Sequence, residues 1–232
     1  MCYFTAIIAL ICIIAFCIYN VNVQPDDAQK VLIDSSWIYT GQQNWMEPWR
    51  FFTYSFLHSD AMHLVQNMMI FLLVCPFLEL AHDSFRPATI YIVGCVLGSM
   101  LSGIVAPGIP LYGASGGCFA LVLAHIANII INGDIMNKKV MVLRLVVLTP
   151  MVVSCLFDVC YAVERWNYEG YNGDGISYTA HAAGAFTGLF FGTFTLRNYE
   201  KETWENFTKW VFVGLYIAAF GTVTVLSIFD VT

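Results

Sequence analysis

The feature that most constrains this chain is the recurrence of apolar runs about as long as a bilayer is thick. They lie at Tyr3–Tyr19, Met62–Leu80, Ala88–Ala106, Ala114–Ile131, Val140–Ala162, Tyr178–Leu196 and Lys209–Phe229. A helix needs ~20 mostly apolar residues to cross the hydrocarbon core, and it satisfies its own backbone hydrogen bonds there. Composition agrees, with 59% of the 232 residues hydrophobic and 11% charged, where soluble domains carry ~25% charged residues. The sequence therefore predicts an all-α polytopic membrane protein, one domain of seven helices over residues 1–232. The first run lacks a basic n-region and a small-residue cleavage site, so it reads as a retained signal-anchor helix.

The connections alternate in charge. Arg86, Lys138, Lys139, Arg144, Arg197, Lys201 and Lys209 fall on one side, and Lys30, Arg50 and Arg165 on the other. The positive-inside rule then expects a cytosolic N-terminus and a C-terminus outside or in the lumen. The net charge of −6 is spread over several loops, which gives no basic patch for nucleic acid. Eight cysteines lie in or beside apolar runs without a CxxC pair, so they suggest neither a zinc site nor a disulfide framework. With no HExxH and no cofactor motif, the reading calls for neither metal nor cofactor. Gly173-Asp174-Gly175 falls in a polar loop, and Asp158 near the outer end of the fifth helix needs only a polar partner or water.

Chemistry enters at Tyr112-Gly113-Ala114-Ser115-Gly116-Gly117, a G-x-S-x-G pattern opening the fourth run. In soluble hydrolases such a pattern follows a strand. Here Pro107, Gly108 and Pro110 precede it, so Ser115 stands at the N-terminal end of a membrane helix. Under the expected topology the second, fourth and sixth helices run in one direction, which puts their N-terminal ends at one depth. The second supplies His63 and, four residues on, Asn67 on the same face; the sixth supplies His181 in its first turn. These four polar groups then meet within roughly 5–10 Å of the outer surface.

A serine hydroxyl needs a base before it attacks, and neutral histidine titrates near the operating pH. Attack on an amide carbonyl builds an oxyanion that His63, the Asn67 amide and the Ser115 backbone N–H could stabilise. No carboxylate neighbours His181 in sequence, so a Ser-His dyad is expected rather than a triad. Gly113 and Gly117 on one helix, and Ala180, Gly184, Gly188 and Gly192 on the other, would let the two helices approach closely. Ordinary packing glycines beside a satisfied histidine are the plainer alternative for any one of these residues. His58, Glu79 and Arg86 read as structural, and His125, in mid-helix with Asn128, as an internal hydrogen-bonding residue.

Trp49-Arg50, the His58, His63 and Asn67 spacing in HSDAMHLVQN, GASGGCFALVLAHIAN around Ser115 and SYTAHAAGAFTG around His181 together resemble the rhomboid family of intramembrane serine proteases. The likeness covers nearly the whole chain. A six-helix bundle plus one C-terminal helix is similar to the animal secretory-pathway branch, although almost nothing precedes the first run, where many animal members carry a cytosolic domain. The resemblance implies Ser115 as nucleophile, His181 as base, and His63 and Asn67 as oxyanion stabilisers. It implies Gly113 as a spacer that lets Ser115 approach its partner, and Phe119 as an aromatic ring stacked on the histidine. It also implies membrane lipids as surroundings and single-pass membrane proteins, growth-factor precursors among them, as substrates. A catalytically silent rhomboid-like chaperone or trafficking factor is the competing class.

Overall fold

The computed structural model describes residues 2–21, 34–41, 46–105, 109–167, 178–200 and 203–229. The readings made on Lys30, Gly173–Gly175, Lys201 and the side chains of Asp158 and Arg165 lie outside the described residues. Helix α1 spans Tyr3–Phe16 and runs on through a π turn at Cys17–Val21. A short helix α2, Arg50–Thr53, leads into a 3-10 turn at Tyr54–Phe56. Then come α3, Ala61–His82, α4, Phe85–Val105, and α5, Ser115–Asn132. The chain continues with α6, Lys138–Asn167, and α7, Tyr178–Phe186. A π turn at Thr187–Phe191 joins α7 to α8, Gly192–Thr195, and α9, Thr203–Phe229, follows.

The protein is an all-α integral membrane protein. Among the described residues no strand forms, and one isolated bridge joins Tyr39 to Leu111. Among the described residues, four segments are long and apolar enough to cross a membrane: Ala61–His82, Phe85–Val105, Ser115–Ile135 and Asn206–Leu226. Tyr3–Tyr19 is a shorter apolar helix. The sixth apolar run differs from the single α-helix its composition suggests. Thr187 turns its hydroxyl back to the Ala183 carbonyl at 2.9 Å, and a π turn starts at that residue. The turn carries Phe190 and Phe191 into an aromatic cluster with Tyr216 of α9, where Phe191 and Tyr216 rings lie 5.3 Å apart.

α5 is the centre of the bundle, with most of its residues buried between α3, α4, α6 and α7. The glycines decide how close its neighbours come. A Cβ on Gly184 would lie 2.0 Å from the Gly116 carbonyl oxygen, and one on Gly188 would lie 2.0 Å from the Ala120 oxygen. α7 thus meets α5 backbone to backbone along Gly116 and Ala120, the close approach that small residues permit in membranes. The expected α5 face was wrong by part of a turn. Gly117 faces the Tyr91 ring of α4, and Gly113 precedes the helix altogether.

α3 begins at Asp60, whose carboxylate accepts the His63 backbone N–H at 2.9 Å as an N-cap. Its far end holds Glu79, and that structural reading is given a definite form. The Glu79 carboxylate accepts the Phe4 and Thr5 backbone N–H groups at 2.8 and 3.0 Å and the Thr5 hydroxyl at 2.7 Å. It therefore neutralises the start of α1, where unsatisfied N–H groups and the positive dipole end accumulate.

Candidate active site

The site lies where the loop before α3, the segment before α5 and the first turn of α7 converge. Gly113 makes the turn into α5 at φ +107°, a left-handed value that favours glycine. A Cβ there would also stand 2.7 Å from His63 Nε2. Gly113 is therefore small because of His63, whereas Gly116 and Gly184 bring Ser115 to its partner. The Gly113 N–H donates to the Tyr54 carbonyl at 3.2 Å, and the Tyr54 hydroxyl donates to the Cys95 carbonyl at 2.9 Å. Upstream, the Leu111 N–H donates to the Tyr39 carbonyl at 2.7 Å.

The loop ahead of α3 is itself tied down by the Trp49-Arg50 pair. Arg50 Nη1 donates to the Ser35 and Ile38 carbonyls at 3.0 and 2.8 Å, and Trp49 Nε1 donates to the Ser36 carbonyl at 3.1 Å. Loop and nucleophile segment are thus held in register by backbone hydrogen bonds, which fixes the depth at which α5 starts.

Ser115 is the first residue of α5 and His181 sits in the first turn of α7. His181 Nε2 lies 2.7 Å from Ser115 Oγ. Phe119, one turn on from Ser115, packs its ring 4.7 Å from the imidazole at a 39° tilt, and Tyr178 closes on it edge-first at 6.3 Å. Together they confine the histidine ring to the plane that points Nε2 at the hydroxyl. The Ser115 and Gly116 N–H groups precede the first intrahelical bond, which Cys118 makes to Ala114 at 3.0 Å, while the Gly117 N–H is spent on the Cys95 sulfur. Such N–H groups form a ready donor set at a positive dipole end.

His63 and Asn67 face the same space from α3. Both line a cavity of about 230 Å³ that also contains Ser115 and His181. Asn67 is almost fully buried and its Nδ2 donates to the His63 carbonyl at 3.2 Å, which leaves its second amide hydrogen for the cavity. His63 is held by Ser59 Oγ at 3.3 Å from Nδ1, and its ring lies 5.1 Å from that of His58 and 5.9 Å from that of Tyr112. All six residues singled out from the sequence, Ser115, His181, His63, Asn67, Gly113 and Phe119, are thus brought together around one cavity.

Sequence reasoning missed Tyr54, Ser59 and Ser154, the last a wall residue contributed by α6. Tyr54 and Ser154 gave no signal because they reach the site through other elements, and Ser59, four residues before His63, was passed over as a plain N-terminal serine beside the Asp60 cap. His125 is the internal hydrogen-bonding residue expected of it. Its Nε2 meets the Val74 carbonyl at 2.9 Å, while Asn128 pairs with His82 at 3.0 Å. Each polar group bonds to α3, not to the other.

Residues 46–198 match the family model described as the Rhomboid domain. The chain belongs to the rhomboid family. This rhomboid is 38% identical over 182 residues to rhomboid-related protein 1 of Caenorhabditis elegans, covering 78% of this chain and 49% of that protein. It is 31% identical to rhomboid-related protein 2 of Mus musculus, over 74% of this chain and 56% of that one. It is also 28% identical to a Caenorhabditis elegans protein named inactive rhomboid-related protein 2, over 74% of this chain and 48% of that one. The chain spans about half the length of these curated relatives.

Proposed function

We propose that this rhomboid is an intramembrane serine endopeptidase that cuts single-pass membrane proteins in or near their spanning segment. The observation that carries the reading is the 2.7 Å contact between His181 Nε2 and Ser115 Oγ at the floor of a cavity set into the bundle. In the proposed reaction His181 takes the Ser115 proton as Oγ bonds to the scissile carbonyl carbon. The carbonyl electron pair moves onto oxygen, and that oxyanion is met by the Asn67 amide, His63 and the Ser115 backbone N–H at the start of α5. Collapse expels the amine, which receives the proton from His181. A water molecule, deprotonated by the same imidazole, then attacks the acyl-serine, and Ser115 leaves with its proton restored.

The charge distribution supports a cytosolic N-terminus and a site opening toward the lumenal or extracellular side, in the secretory pathway or plasma membrane. Candidate substrates are single-pass proteins, growth-factor precursors included. Co-expression of such proteins with wild type, Ser115→Ala and His181→Ala tests the reading. Cleavage by wild type alone is expected, with all three chains accumulating equally in membranes. Cleavage undiminished in Ser115→Ala would end the mechanism. Accumulation without cleavage of any candidate would favour a silent chaperone-like role, which one relative's name makes worth the control.

A further inference from the structure

Arg144 is a charged residue of the bundle that the proposed chemistry leaves unused. It lies in α6, six residues after the helix starts at Lys138, or ~9 Å into the span. An ionisable group there is costly unless something answers its charge. Its Nη1 is shut off from solvent and has no hydrogen-bond partner among the described residues. No ion pair reaches it among those residues either. Of the carboxylates at the same end of the bundle, Asp83 is engaged by Arg197 at 2.8 Å and Arg86 at 3.5 Å, Glu79 by the start of α1, and Asp134 lies exposed in the turn before α6. The described residues therefore set no carboxylate against Arg144, whose charge also lies within reach of the His82 and His125 rings.

Next to it, α5 and α6 part to leave an apolar cleft of about 140 Å³, lined by Ile126, Leu145, Leu148, Thr149, Val152 and Val153. Leu148 stands one turn beyond Arg144 on the same face and is buried at the cleft floor, while Leu145 and Val153 are exposed at its rim. Thr149 adds no polarity, because its hydroxyl is spent on the Leu145 carbonyl at 2.6 Å. A helical side chain leans toward its own N-terminus, so the guanidinium reaches toward the end that carries exposed Lys138 and Lys139. An apolar slot open to the bilayer, with a cation that no described carboxylate meets at its headgroup end, matches one kind of molecule in shape and in charge.

We infer that the α5–α6 cleft holds a single anionic phospholipid, one acyl chain seated over Leu148 and Val152 and the phosphate on Arg144. A guanidinium meets phosphate oxygens with two parallel N–H donors. Juxtamembrane basic pockets between helices are suited to such headgroups.

Native mass spectrometry of the purified full chain, with dioleoyl phosphatidylglycerol or dioleoyl phosphatidylcholine added, tests this. Wild type is expected to retain one phosphatidylglycerol with about five- to tenfold preference over phosphatidylcholine, the scale of one basic residue on an anionic lipid. Arg144→Gln should abolish that preference and Arg144→Lys should keep part of it. Val152→Trp, which fills the slot and leaves the charge, should release the lipid, and a Lys138→Gln/Lys139→Gln double variant should still hold one copy. Chain-free glycerophosphoglycerol should fail to displace the lipid, which separates a seated phospholipid from a bare phosphate site. Equal retention of both lipids by wild type, or unchanged phosphatidylglycerol retention in Arg144→Gln or Val152→Trp, would overturn the inference. If Arg144→Gln does not accumulate, Arg144→Lys and Val152→Trp decide the question by the same reading.

Discussion

Replacing Gly184 by alanine asks whether the glycine contact between α5 and α7 sets the catalytic distance. The added Cβ would fall 2.0 Å from the Gly116 carbonyl oxygen and 2.9 Å from its carbon, whereas real Cβ contacts essentially never fall below 3.0 Å. Because the obstacle is backbone, not a flexible side chain, α7 must retreat by at least about 1 Å, the difference between those distances. His181 sits one turn before Gly184 on the same helix, so the 2.7 Å contact to Ser115 Oγ would open beyond hydrogen-bonding range. A misplacement of ~1 Å in a reacting pair costs on the order of 10²-fold in rate. Overpacking costs about 1–3 kcal/mol in stability. The assay is the rate at which a fluorophosphonate labels Ser115, read beside the thermal midpoint. Gly184→Ala should label about a hundredfold more slowly while still folding. Gly214→Ala, where nothing lies within 4 Å of the added atom, should match wild type. Wild-type labelling by Gly184→Ala would show that the helix contact does not set the catalytic distance.

Gly113→Ala should slow labelling comparably by a different route, since the new Cβ meets His63 Nε2 at 2.7 Å on a φ of +107°; normal rates in that variant would detach His63 from the site. His58 is fully buried, and burial drops its pKa from 6.5 to about 3. Between those values the unfolded chain binds a proton that the folded chain refuses, so stability is complete above about pH 6.5 and declines as pH falls, by up to ~1.4 kcal/mol per pH unit. The thermal midpoint of wild type should therefore drop more steeply from about pH 6 to about pH 4 than that of His58→Gln, and parallel slopes would contradict the assignment. Asn206-Phe207-Thr208 is the single glycosylation sequon, and the proposed topology, argued from charge bias, has it on the cytosolic side. The native protein should carry no glycan there; a glycan on Asn206 would invert the proposed topology.

Much of the site was legible because its chemistry lies in local spacing. Ser115 opens a helix, His63 and Asn67 sit four residues apart, and His181 begins another helix, so equal depth follows from topology alone. The close approach of α5 and α7 was legible as small residues, but the α5 face that meets α7 was not. Gly113 falls outside the helix at a positive φ, and Gly117 is turned about 100° from Gly116 toward Tyr91. The π turn at Thr187–Phe191 has no periodic signature: Thr187 bonds back to Ala183 there, and the Phe191 ring packs on Tyr216 of α9. Tyr54, whose hydroxyl bonds a carbonyl 41 residues away, and Glu79, which caps α1 from 75 residues away, are products of the folded bundle. Their partners are backbone groups, which any sequence supplies everywhere, so no pattern points to them.

The central claim is that Ser115 is a nucleophile activated by His181. It is tested most directly by exposing membranes containing the full chain to a fluorophosphonate and locating the adduct by peptide mass spectrometry. The account expects a single adduct on Ser115 in wild type, none in Ser115→Ala, and loss of nearly all labelling in His181→Ala, because residues acting as one unit fail together. Labelling at another serine, or full labelling of Ser115 without His181, would contradict it.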